Sequence, residues 1–179
     1  MKNKEKAIIN IISDYFRKHS KEFSSNEKMG LIGVQKDVTK HYFMLHKAAY
    51  FIELSHFLIT GEKMLSLEFK SFDNGSYASS INSNQQNIDS LVSGDMSLFT
   101  EKELDVINKT LKYLVQLSIE EVIELNHIDA GWRYFYQNDD FDSSVINFEK
   151  VREHYKNSPL ASNYISLIGF DPKESAVLR

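Results

Sequence analysis

The distribution of proline constrains this chain more than any other feature. Its 179 residues hold two prolines, Pro159 and Pro172, so the first 158 residues contain no fixed helix breaker. Apolar residues recur through that stretch at helical spacing. Ile8, Ile9, Ile12, Tyr15 and Phe16 predict an amphipathic helix over 4–21. From about Lys40 to Thr60 the chain is more apolar. Leu45, Ala48, Ala49, Ile52 and Phe57 line one face, Tyr42 and Phe43 widen it, and the breadth predicts a central helix buried on more than one side. Gly61 stands where a left-handed C-cap belongs. Thr100 with Glu103, and Ser118 with Glu121, are capping-box pairs that open two further helices. Phe148, Val151 and Tyr155 predict a last helix over 146–156.

Between these helices the signals change. Gly30 and Gly33 mark a loop. Leu65, Leu67 and Phe69 alternate with polar residues, a period of two that predicts a short strand, and Asp73-Asn74-Gly75 ends it with turn chemistry. A short helix is expected near Tyr77–Ile81, an aromatic segment over Trp132–Tyr136 and a polar turn over Asn138–Ser144. The expected fold is mainly α, one compact domain of about six helices with a strand or hairpin between the second and third. Residues 1–158 form the domain, and 159–179 a C-terminal tail, either docked as a strand or free as an arm for a partner.

Composition narrows the function classes. The chain has no cysteine, which excludes disulfides and thiolate metal sites. A net charge of −4 with both signs interspersed argues against nucleic acid as a partner. No apolar run approaches the ~20 residues of a membrane span, and Asp14 interrupts the apolar stretch that follows the charged start. The sequence therefore predicts a cytoplasmic protein that meets neither membrane nor nucleic acid. Twelve Phe, nine Tyr and one Trp supply enough aromatic surface for a packed core.

Chemistry-bearing patterns are sparse. His41, His46 and His56 lie on one expected helix at spacings of five and ten, which turn them to different sides of it. No metal or cofactor is expected. From Asn138 to Glu149 oxygen-bearing side chains fall at calcium-loop positions, but Ser143 replaces the required glycine; a polar turn capping the next helix is the competing reading. Gly30 and Gly33 form a GxxG with no following lysine. There is no Gly-x-Ser-x-Gly, and pairs such as Glu120-Glu121 read as solvated helix faces. Trp132 reads either as a core residue or as a partner anchor. No acid, base and orienter can be assembled, and the chain is read as a non-enzyme.

Several fragments together resemble the Panacea-domain antitoxin family, the GepA-like phage-associated and SocA-like proteins. Leu45-His46-Lys47-Ala48-Ala49-Tyr50 is similar to that family's "LqKLlYya" helix, with Gly61 at the glycine that ends it. Phe69 to Gly75 resembles "eaWkyGP", Leu125-Asn126-His127 with Gly131-Trp132 resembles "lseltH…pW", and Phe148 to Tyr155 resembles the closing helix. Order and spacing agree over about residues 5–157. The chain departs from the pattern at Phe72, Ser76, Ala48-Ala49 and Gly131, as a divergent member would. The resemblance implies an antitoxin that neutralises a cognate protein toxin, encoded by the adjacent gene, by direct contact, with a protease as a further partner where the domain acts as an adaptor. The alternative is a mobile-element regulator or proteolysis adaptor that binds a non-toxin client. Lys47, Tyr50, Gly75, His127 and Trp132 are then scaffold. Phe72, Tyr77, Tyr134, Tyr136, Phe141, Tyr164 and Phe170 are the expected partner contacts, chosen as aromatic residues on loops and tail.

Overall fold

A computed structural model of the chain describes residues 3–19, 35–82, 94–136 and 145–179, with 35–42 described by backbone alone. The organising element is a helix whose surroundings touch it on all sides. Helix α1 spans Asn3–His19 and α2 spans Gln35–Thr60. In α2 every residue from Met44 to Ile59 is buried. A helix with no exposed face needs neighbours all round it. Here they are α1, α4 (Glu101–Leu114), α5 (Ile119–Ile128), the hairpin and α8 (Pro159–Leu167). Gly61 closes α2 at φ +79°, with its amide on Phe57 O at 2.7 Å.

After α2 the chain runs extended. Leu65, Leu67 and Phe69 are buried while Ser66 and Glu68 are exposed, so the predicted alternation of faces is present. The strand itself starts later. β1 is Lys70–Phe72 and pairs antiparallel with β2, Gly75–Tyr77, about the turn Asp73-Asn74. Val145 bridges Lys70, and the Ile146 amide donates to Phe69 O at 2.7 Å, which covers the outer edge of β1. A short helix α3, Ser79–Asn82, follows the hairpin.

Both predicted capping boxes are formed. Thr100 and Glu103 open α4, and Ser118 and Glu121 open α5. The aromatic segment is helical as α6, Ala130–Tyr136. The last predicted helix is much shorter than expected. Only Arg152–Tyr155 is helical, as α7, because Val145 and Ile146 are drawn onto the hairpin edge. Phe148, Val151 and Tyr155 nevertheless bury as their spacing requires.

The C-terminal segment is neither strand nor free arm. Ser158 caps α8, its Oγ accepting from the Ala161 amide at 3.3 Å, and Pro159 takes the first helical position. Tyr164, Ile165, Ile168 and Val177 join the same core as α1 and α2. Beyond α8 the Ala176 amide donates to Ile59 O at 3.1 Å, and Ser175 Oγ bonds Leu58 O. Each of the four buried apolar side chains contributes about 1.5–3 kcal/mol, against a typical total stability of about 5–15 kcal/mol. A chain ending at Ser158 is therefore expected to lose cooperative folding. Thermal melts followed by circular dichroism check this; an unchanged melting temperature would return 159–179 to the status of an appendage.

Candidate functional site

The buried helix α2 carries polar side chains that cannot reach water, so each must find a partner in the protein. His46, Lys47, Glu53, Ser55 and His56 are all buried, and Tyr50 is buried with its hydroxyl turned to a carboxylate. Between them they hold several pieces of chain. His46 Nδ1 accepts from the Ala78 amide at 3.1 Å, and Lys47 Nζ donates to Ser76 O at 2.6 Å, so both grip β2 and its exit. Glu53 accepts the amides of Met64 at 3.0 Å and Leu65 at 2.8 Å, and Glu5 of α1 takes the next amide, Ser66, at 3.0 Å. Ser55 joins the hydroxyls of Tyr164, at 2.7 Å, and Thr110, at 3.0 Å, linking α8 and α4. His56 Nδ1 lies 2.9 Å from Glu62 O.

The hairpin is the point of greatest convergence. Asn126 Oδ1 accepts from the Ser76 amide, and its Nδ2 donates to Ser76 Oγ at 3.0 Å. His127 Nε2 sits 2.9 Å from Asp73 O, and Trp132 Nε1 donates to Phe72 O at 3.0 Å. Ser71 Oγ donates back to Trp132 O at 3.2 Å. Trp132 lies between His127, at a centroid distance of 4.3 Å, and Tyr136, at 4.4 Å. Gly75 adopts φ +96°; a Cβ there would overlap Asn126 Oδ1 and come within 3.0 Å of Lys47 Cε. Beside this clasp, the Asp129 carboxylate accepts from the hydroxyls of Tyr50 and Tyr155 and, at 3.0 Å, from the Trp132 amide, capping α6. The Gly131 amide donates to Tyr155 Oη at 2.9 Å. Proline, which stands at this position in the family pattern, has no such proton to give.

Of the five predicted scaffold residues, Lys47, Gly75, His127 and Trp132 are thus brought together at one hairpin, and Tyr50 lies beside it, bonded to Asp129. The predicted contact residues are dispersed. Tyr134 and Tyr136 are 39% and 40% exposed, and the Tyr136 hydroxyl donates to Asp73 Oδ1 at 2.9 Å. Phe72 and Tyr77 are half-buried, and Tyr77 stacks on His46 at 4.4 Å. Phe170 is half-buried beneath Lys109 Nζ, 4.0 Å from its ring. Tyr164 is 5% exposed and belongs to the core, because its hydroxyl is the partner Ser55 needs; this corrects its assignment as a surface contact. Phe141, the Gly30–Gly33 pair and most of the proposed calcium loop lie outside the described residues. Glu149 at that loop's end is held by Arg152 at 2.8 and 2.9 Å. Among the described residues no three His, Cys, Asp or Glu side chains group as metal ligands, and no helix is long and apolar enough to cross a membrane.

Sequence reasoning passed over Glu53, Asn126, Asp129 and Tyr155. Glu53 had a readable signal, being the one carboxylate within an otherwise apolar run of α2. Asn126 and Asp129 had none, since their roles depend on elements distant in sequence.

An apolar groove opens beside the buried network, between α2, the α5–α6 corner and α8. Phe51, Leu54 and Leu58 form its floor. Leu125 and Ile128 form one rim and Leu160 the other, with the core residues Ala161 and Tyr164 at its base. Its enclosed space of about 40 Å³ is far below the roughly 300 Å³ of a small-molecule pocket. Fold and site together define a mainly helical domain built on a buried polar helix that clasps a two-stranded hairpin. Comparison of the chain with family models, curated proteins and solved structures gives no match.

Two consequences are measurable. Replacing Gly75→Ala is expected to destabilise the protein by at least about 2 kcal/mol, read as a drop in the midpoint of urea unfolding. An unchanged midpoint would show that the hairpin does not need that turn. The second concerns pH. Burial raises the Glu53 carboxyl from 4.5 to about 7, against the opposing pull of the Leu65 and Met64 amides and of Lys63 and Lys4. Burial lowers the Lys47 amine from 10.5 to about 7. A raised carboxyl gives stability that is complete below pH 4.5 and lost as pH climbs toward 7. A lowered amine works the other way, since between pH 7 and 10.5 the unfolded chain alone binds the proton, so stability rises with pH. These two groups therefore give an unfolding free energy lowest near pH 7, with limbs on the order of 3 kcal/mol. Glu53→Gln is expected to flatten the acidic limb and Lys47→Met the alkaline one; slopes unchanged in both variants would remove the explanation.

Proposed function

We propose that this protein is an antitoxin of the Panacea type, a cytoplasmic binding protein that neutralises a protein toxin by direct contact. One observation carries the reading. Lys47, Tyr50, Gly75, His127 and Trp132, the residues on which the family resemblance rests, lie in three separate stretches of sequence; four of them meet at a single hairpin, and Tyr50 bonds Asp129 beside it. Convergence of this kind is what a shared scaffold motif requires and what an accidental string of weak matches does not. The four side chains among these residues are occupied in holding backbone, a ring or a neighbouring carboxylate, and Gly75 leaves room for Asn126 and Lys47. Their work is structural, which favours a protein that presents a rigid surface over one that turns over a substrate.

The reading is tested by expressing the product of the adjacent gene alone and together with this chain. Growth arrest by the neighbour, its relief on co-expression and a complex that survives size-exclusion chromatography are the expected results. A neighbour that is harmless alone, with no complex recovered, would overturn the proposal.

A further inference from the structure

The groove between α2, the α5–α6 corner and α8 has rims that do not behave like the rest of the molecule's surface. Ile128 is 46% exposed and Leu160 50% exposed, two aliphatic side chains facing each other across an apolar floor. Leu167, 60% exposed, continues the Leu160 stripe two turns further along α8. Neither rim uses these residues for its own stability. Single exposed aliphatic residues are ordinary, but two helical stripes flanking an apolar trough have the shape into which an amphipathic helix is laid.

The two rim helices carry side-chain charge of one sign. α8 carries no charged residue, and α5 carries Glu120, Glu121 and Glu124 with no lysine or arginine. Glu124 stands four residues before the rim residue Ile128 and Glu120 four before Glu124, so the two continue that rim along the helix surface, while Glu121 is engaged by the Ser118 amide. All three glutamates are exposed. His127, the one basic side chain of α5, turns away to the hairpin, where it meets Asp73. An occupant therefore needs aliphatic residues at helical spacing on one face and positive charge on its flank. The enclosed space suits single inserted side chains and excludes a metabolite.

We propose that this groove is the docking surface for a basic amphipathic helix supplied by the partner protein. The inference deepens the antitoxin reading by naming the toxin's contact element, and it rests on that reading for the identity of the partner. Binding inserts aliphatic side chains between Ile128 and Leu160 while lysine or arginine side chains lie along Glu120 and Glu124. The complex is then weakened by salt, because the rim pairs are solvent-exposed.

The test uses the full chain and two labelled helical peptides of identical leucine pattern, one with lysine and one with glutamate on the polar face. The lysine peptide is expected to bind with micromolar affinity in fluorescence anisotropy, and the glutamate peptide at least tenfold more weakly. The double variant Ile128→Ser/Leu160→Ser, which changes two half-exposed side chains and leaves the core intact, is expected to lose tenfold or more for the lysine peptide. Glu120→Gln/Glu124→Gln is expected to lose several-fold and to flatten the salt dependence. Absence of lysine-peptide binding, or binding that both variants leave unchanged, overturns the inference. The purified neighbour-gene product separates the two readings. A complex with it that is equally tight in the groove variants overturns the groove and leaves the antitoxin reading. Groove-dependent peptide binding with no complex and no toxicity overturns the antitoxin reading and leaves the groove.

Discussion

The structure depends on one constraint: from Met44 to Ile59 α2 is buried on every side, yet this stretch carries six polar side chains. A wholly apolar helix could be packed by almost any set of apolar neighbours. This one cannot, because an unpartnered buried donor or acceptor costs about 1–3 kcal/mol and a buried charge more. His46, Lys47, Tyr50, Glu53, Ser55 and His56 therefore specify what must come close and in what register. Together they select five segments, from the extended chain at Met64 and Leu65 to the hairpin, the α5–α6 corner, α4 and α8. Hydrophobic burial supplies most of the stability, and the polar side chains determine which of many compact arrangements is the native one.

The hairpin illustrates the point. Two strands of three residues would not persist alone in water. These are held through backbone atoms that the strand pairing leaves over. Lys47 takes the Ser76 carbonyl, Asn126 the Ser76 amide, Trp132 the Phe72 carbonyl and His127 the Asp73 carbonyl. Gly75 is the position where backbone, amide side chain and lysine stem crowd most closely, so the absence of a Cβ there is a packing requirement as well as a torsional one.

How much of this could be read from the sequence follows from the range of the interactions. The local signals carried well. Proline distribution, helical periodicity, the C-cap at Gly61 and the two capping boxes each depend on residues within a few positions of one another. The errors came where distant contacts overrode local preference. Ile146 opens the span predicted as helix, yet its amide bonds Phe69 O and Val145 bridges Lys70 of β1, and the helix is reduced to one turn. The segment Tyr164–Phe170 reads as a strand because of its β-branched and aromatic run. The Ser158-Pro159 start, an N-cap followed by proline at the first helical position, is the stronger local signal and was there to be weighed. Residue type alone makes Tyr164 a candidate partner contact; its hydroxyl instead meets Ser55, more than a hundred positions earlier. Asn126 and Asp129 are unremarkable in sequence and become central only when α5 and α6 meet the hairpin and α2.

The same division bears on how a scaffold of this kind could serve many partners. The residues that fix the fold are spent internally, on backbone amides, carbonyls and one another, and substituting them breaks the domain before it alters recognition. The rim of the groove has the opposite property. Ile128, Leu160, Leu167, Glu120 and Glu124 contribute little to the buried network, so their size and charge can change at small cost, usually within about 0.5 kcal/mol for an exposed position. In the proposed docking, stability and recognition then reside in separate sets of side chains, joined by residues such as Phe51, Leu54 and Leu58, which serve the core from one side and the groove from the other. Partner choice on such a surface is governed by rim shape and charge sign, with the apolar floor providing affinity that does not discriminate.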